Sequence, residues 1–145
     1  MSIFISYAKE DTEFAHELYS ALKARGLEPW MDKPPAPYQA DGLIPGEDWR
    51  RRLSEEIRRA VRVILVLSST SIAKVGYVQN EFRLALEAMA YMPPNTRFAI
   101  PLLIEDCTPP DLVVGSISLA NLQWTNLDEI EMDVFLNMVE ADLGR

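Results

Sequence analysis

Apolar positions in this chain fall into runs of two kinds. Ile3 to Ser6, Leu27 to Trp30, Val63 to Leu67 and Phe98 to Ile104 are short runs of strand length; the first is apolar and β-branched, and Val63 to Leu67 is apolar at every position, as a strand covered on both faces should be. Between them the apolar residues recur at helical spacing. Phe14, Leu18 and Leu22, joined by Ala15 and Ala21, mark one amphipathic helix, and Trp49, Leu53, Ile57 and Ala60 mark a second. Val78, Phe82, Ala85 and Met89 mark a third, and Val134, Phe135, Met138 and Val139 a last one. The region 121–125 reads as a short fifth strand. Asp11 is expected to cap the first helix, Gly26 to stop it in a left-handed conformation, and Pro93-Pro94 to end the third.

Strands alternating with helices predict a parallel sheet with helices on both faces. The expected fold is α/β and flavodoxin-like, five parallel strands in the order 2-1-3-4-5, with residues 1–145 forming one domain. The segment from Lys33 to Gly46 carries too many prolines and glycines for regular structure and reads as an exposed loop of the kind used as a lid or binding element.

Composition narrows the classes. With 145 residues, 48% hydrophobic and 25% charged, the chain can bury a core. A net charge of −8 disfavours a nucleic-acid or anionic-membrane surface. The arginines of Arg50-Arg51-Arg52 and Arg58-Arg59 do not reverse this, because Glu55 and Glu56 stand four residues after Arg51 and Arg52 and predict a solvated, salt-bridged face. One cysteine, Cys107, and one histidine, His16, give neither a disulfide nor a metal set. His16 falls off the first helix's apolar stripe and reads as exposed. No stretch is long and apolar enough to span a bilayer, and no signal core precedes the first strand, so a reducing, cytoplasmic setting is expected.

In an open α/β sheet, ligands bind at the carboxyl ends of the strands. A flavin-phosphate loop after the first strand would carry glycine, but that segment is Ser6-Tyr7-Ala8-Lys9-Glu10-Asp11. A phosphoacceptor domain would end its third strand in aspartate, whereas this one ends Leu67-Ser68-Ser69. Neither a P-loop nor GxGxxG occurs. What stands at the mouth is Glu81, near the start of the helix after the most apolar strand, with Tyr77 four residues earlier on the same face.

Four pieces in order resemble the Toll/interleukin-1 receptor (TIR) domain family, bacterial type, over nearly the whole chain. They are Phe4-Ile5-Ser6-Tyr7-Ala8-Lys9-Glu10-Asp11, Gly26-Leu27-Glu28-Pro29-Trp30-Met31-Asp32, Leu43-Ile44-Pro45-Gly46-Glu47-Asp48-Trp49, and Val63-Ile64-Leu65-Val66-Leu67-Ser68 followed by Gly76-Tyr77-Val78-Gln79-Asn80-Glu81. Many members cleave NAD+ at the nicotinamide–ribose bond using a glutamate at the position of Glu81, with the aromatic at the position of Tyr77 in the same pocket. The resemblance therefore implies an NAD+ hydrolase or cyclase, activated by self-association, acting as an antiviral or toxin effector with NAD+ as substrate and no cofactor. Ordinary glycosidases need two carboxylates, but nicotinamide leaves as a neutral group from a cation and needs no proton. One ionised carboxylate that stabilises the oxocarbenium-like ribose would suffice. Tyr7, Ala8 and Lys9 are placed to meet the diphosphate, Trp30, Asp32 and Trp49 to flank the long loop, and Ser68 and Ser71 to donate to ribose or the nicotinamide amide. Each also has a plain reading: the tryptophans as packing, Lys9 as a surface charge, Tyr77 as half-buried packing. The competing function is a non-catalytic adaptor that signals by homotypic contact through the loop. Residues 1–145 fit either a whole protein or the N-terminal effector module of a longer one, joined to a sensor.

Overall fold

A computed structural model describes residues 2–73, 77–93, 96–109 and 111–144, with the backbone alone for residues 77–81. Its elements are β1 (Ser2–Ser6), α1 (Thr12–Ala24), β2 (Pro29–Trp30), α2 (Trp49–Arg59), β3 (Ala60–Leu67), α3 (Ser69–Ala73), α4 (Tyr77–Ala90), β4 (Ala99–Leu103), β5 (Val113–Val114), β6 (Ile117–Ser118), β7 (Thr125–Asn126) and α5 (Met132–Asp142). The main sheet is parallel throughout, in the order β2-β1-β3-β4-β7. This is the expected 2-1-3-4-5 arrangement. A two-stranded antiparallel hairpin, β5 with β6, is an addition that the sequence reading lacks.

Alternation along the strands builds two cores. Phe4, Val63, Leu65, Leu67 and Leu103 face one side, with Leu53 and Ile57 of α2 and Phe82 and Leu86 of α4. Ile3, Ile5, Ile64, Val66 and Leu102 face the other, with Leu18 and Leu22 of α1 and Phe135 and Val139 of α5. Each fully buried side chain of this size contributes roughly 1.5–3 kcal/mol by leaving water, so the central strand β3, buried at Val63 through Leu67, anchors both layers.

Several boundaries differ from expectation for visible reasons. β2 is only two residues long at the sheet edge, and Pro29 is tolerated in it because Glu28 O accepts from Ile3 N–H, which turns residue 29 outward, away from β1. Ala60 belongs to β3, since α2 passes directly into the strand without an intervening residue. The last strand pairs at Thr125 and Asn126, after a single 3-10 turn over Leu119–Asn121. On α5 the buried face is Phe135, Leu136 and Val139, whereas Val134 and Met138 are each 45% exposed. Pro94 and the side chain of Val78 lie outside the described residues.

Gly26 ends α1 at φ 76°, donating to the Lys23 carbonyl while Leu27 N–H donates to Leu22 O. These two bonds form the left-handed helix stop that the glycine signalled. Pro101 sits within β4 without breaking it. Ile104 N–H bonds toward β3, at Leu67 O, and Leu103 O bonds toward the β7 side, at Leu127 N. Alternation then turns residue 101 to the outer side, where pairing begins only at Leu102, so no ladder bond to β3 is lost.

Candidate functional site at the sheet mouth

The carboxyl ends of β1, β2, β3 and β4 meet at one edge, and each contributes a polar residue just beyond its last paired position. After β1, the buried Tyr7 donates its hydroxyl to Asp32 Oδ1 at 2.6 Å. Asp32 follows β2, and the same oxygen accepts from Lys33 N–H at 2.9 Å. Two residues predicted to line the site are thus directly bonded across 25 positions of sequence. Ala8 is fully buried behind Tyr7, and Lys9 is exposed at the start of a 3-10 turn over Lys9–Asp11.

Beyond β3, Ser68 and Ser71 form a reciprocal cap on α3. Ser71 N–H donates to Ser68 Oγ at 3.1 Å, and Ser68 N–H donates to Ser71 Oγ at 2.8 Å. Both hydroxyl protons are committed within the chain, Ser68 Oγ–H to Asp11 Oδ2 at 2.6 Å and Ser71 Oγ–H to Ser68 O at 3.0 Å. With both residues buried, the geometry assigns them to holding the β3–α3 turn, and their hydrogen bonds are already spent there. Asp11, expected to cap α1, makes no capping bond to that helix and reaches across to Ser68 instead.

Glu105, just after β4, is a residue the sequence reading passed over. One of its oxygens accepts from Ser69 Oγ at 2.7 Å and from Ser69 N–H at 2.6 Å, which holds its carboxyl below the usual range. Its signal was positional, an acid one residue past a strand end. The half-buried Cys107 thiol sits nearby, pushed up by burial and by the neighbouring Glu105 and Asp106 charges. It is a protonated packing group, in keeping with the plain reading.

The tryptophans behave differently from each other. Trp30 is buried, stacked on Phe4 with ring centroids 5.2 Å apart, and its Nε1 has no hydrogen-bond acceptor among the described residues. Trp49 opens α2 at 43% exposure with the Arg50 guanidinium 5.1 Å from its ring centroid, so it does not belong to the buried stripe expected of it. Glu56 departs further from expectation. It is 6% exposed, accepting from Arg52 Nε at 2.9 Å, so this pair is not the solvated one that the spacing suggested, although Arg51 and Glu55 are. His16 is also half-buried rather than exposed, its Nε2 2.8 Å from Lys33 O.

The backbone of α4 places Tyr77 at its first position and Glu81 one turn on, in the helix that follows β3 and α3. The side chains of Tyr77 and Glu81 lie outside the described residues. What is described at this edge of the sheet is a set of acidic residues, Asp11, Asp32 and Glu105, each with one oxygen held by a hydroxyl or amide. Among the described residues no set of three His, Cys, Asp or Glu could hold a metal ion, and no helix is long and apolar enough to cross a membrane. A cavity of about 830 Å³ lies elsewhere, at the amino end of β4, among Met89, Met92, Ile100, Ile117, Phe135 and Met138.

Comparison with known proteins agrees with this architecture. The chain is 34% identical over 106 residues to an uncharacterized protein, y4cD, of Sinorhizobium fredii (strain NBRC 101917 / NGR234). That match covers 72% of this chain but 15% of the relative, so the chain corresponds to a small part of that protein's length. The family model described as the TIR domain matches residues 3–136, nearly the full chain, and the chain belongs to the TIR domain family.

Proposed function

We propose that this TIR domain cleaves NAD+ at the nicotinamide–ribose bond, with Glu81 as the catalytic carboxylate. The observation that carries the reading is the place of Glu81 one turn into α4, the helix that leaves the mouth of the sheet, in a chain that belongs to a family containing such enzymes. The acidic residues at this edge support it, because anionic oxygens suit both the ribose hydroxyls and the positive charge that develops on the sugar. Tyr77, one helical turn before Glu81, would line the same pocket, and Tyr7 and Asp32, already bonded to each other, would bound it on the β1–β2 side. Self-association supplies the activating step, and the exposed Ile44 at the end of the long loop is a fitting contact.

The test is NAD+ turnover at high protein concentration for the parent and for Glu81→Gln, with products separated by chromatography. Loss of more than about 100-fold in the variant is expected, on the scale of removing one electrostatic stabiliser. Equal rates would remove Glu81 from the mechanism. The second reading, a non-catalytic adaptor, is favoured by the same exposed Ile44. Concentration-dependent oligomers with no turnover and no NAD+-induced rise in melting temperature would establish it.

A further inference from the structure

The loop between β2 and α2 is held at two places that differ in kind. At its inner root, Leu43 N–H donates to Asp32 O at 2.8 Å and Gly42 packs against the Met31 and Asp32 carbonyls. The outer root is made of side chains. Ile44 N–H donates to Glu47 Oε1 at 2.9 Å, and both Glu47 oxygens accept from Arg52 Nη1 at 2.9 Å. Arg52 Nε donates to Glu56 at 2.9 Å, and its guanidinium lies 5.5 Å from the Trp30 ring centroid. Trp30 in turn stacks on Phe4 of β1. A continuous line of contacts therefore runs from the central sheet, through Trp30, Arg52 and Glu47, to a loop amide.

The charges on this line are mutually secured. Glu47 is held below the usual carboxylate range, first by the Ile44 N–H and then by Arg52. Arg52 is raised, first by its bond to Glu47. Arg52 is also anchored from beneath, since the Glu56 side chain is only 8% exposed. The planar guanidinium addresses two carboxylates and an indole face at once. A lysine ammonium on a flexible stem does not reproduce that fork.

We infer that Arg52 is a positioning residue, fixing the outer end of the 33–46 loop, through Glu47, against the floor of the sheet mouth. The assignment goes beyond NAD+ cleavage and stands whether or not the site is catalytic. It makes the orientation of Ile44 depend on one guanidinium that acts through Glu47 rather than on Ile44 itself.

The experiment is amide hydrogen exchange by NMR on Glu47→Ala, Glu47→Gln and Arg52→Lys, each with its melting temperature. Removing the guanidinium outright would strand the buried Glu56 carboxylate. Arg52→Lys therefore keeps the cation, and Glu47→Ala cuts the clasp while leaving Arg52 on Glu56. The Ile44 amide is expected to exchange about tenfold faster in Glu47→Ala and Arg52→Lys, while Leu43, bonded to Asp32 O, stays within about threefold of the parent. Glu47→Gln keeps an amide acceptor and restores Ile44 protection. Unchanged Ile44 exchange in Arg52→Lys overturns the assignment, and so does a uniform acceleration across the chain with a fallen melting temperature.

Discussion

Replacing Gly42 with alanine tests whether the loop root is as closed as it looks. Gly42 has φ −94°, outside the left-handed region that favours glycine, and what opposes a side chain there is lack of space. A Cβ there would overlap the Asp32 carbonyl oxygen and the Pro34 Cδ, and would stand 2.9 Å from the Met31 carbonyl oxygen. Two of these neighbours are backbone and the third is a buried proline ring, none of which can turn aside. Overpacking of this type costs about 1–3 kcal/mol. Separating the loop from Asp32 also sacrifices the Leu43 N–H bond, about 1 kcal/mol more. A total near 3 kcal/mol in a chain of 145 residues lowers the melting temperature by about 6–12 °C. Thermal denaturation followed by circular dichroism measures it, with Leu43 amide exchange reporting whether the root itself has opened. A Gly42→Ala protein that melts within about 1 °C of the parent and keeps Leu43 protected would refute the reasoning, because the root would then have slack that the packing denies.

Two further outcomes follow from the mouth and from the opposite end of the sheet. Ser68→Ala removes the acceptor for Ser71 N–H and the donor to Asp11, and is expected to cost about 1–2 kcal/mol in denaturant unfolding; a change under about 0.3 kcal/mol would deny Ser68 its structural role. Asp142 bonds both Arg62 and Arg97; burial opposes its ionised form, but the two guanidiniums prevail and hold the folded carboxyl below its usual value. The unfolded state therefore binds its proton first as pH falls. Stability from this group is present above about pH 4 and lost on acidification through the lower folded value. Asp142→Asn should flatten that acid limb by about 1–2 kcal/mol, and an unaltered pH profile would show that the ion pairs contribute nothing.

The fold was legible because its central strands β1, β3 and β4 are largely continuous apolar runs and its helices carry one apolar stripe each, so period separated them. Gly26 was legible because its role is local. Misreadings cluster where partners distant in sequence decide the outcome. The spacing of Arg52 and Glu56 predicts a pair correctly, but nothing in four residues shows that Trp30 and Glu47 close over it and shield it from water. Asp11 looks like a helix cap until Ser68, 57 positions away, takes its carboxylate. Val134 and Met138 suit an apolar face by composition, yet the helix turns Phe135, Leu136 and Val139 inward. Ser68 and Ser71 were found at the right edge through strand-end position, which locates a residue but not what its hydroxyl already bonds.

Pro101 has a consequence for how the sheet closes on its β7 side. The amino half of β4 has no ladder partner there, since β7 pairs only from Leu102, yet Ala99 and Pro101 are both buried. A buried N–H at the outward-turned residue 101 would need an acceptor where the ladder has not begun. The imino acid removes that donor, so the chain covers this stretch of backbone with one fewer polar group to satisfy.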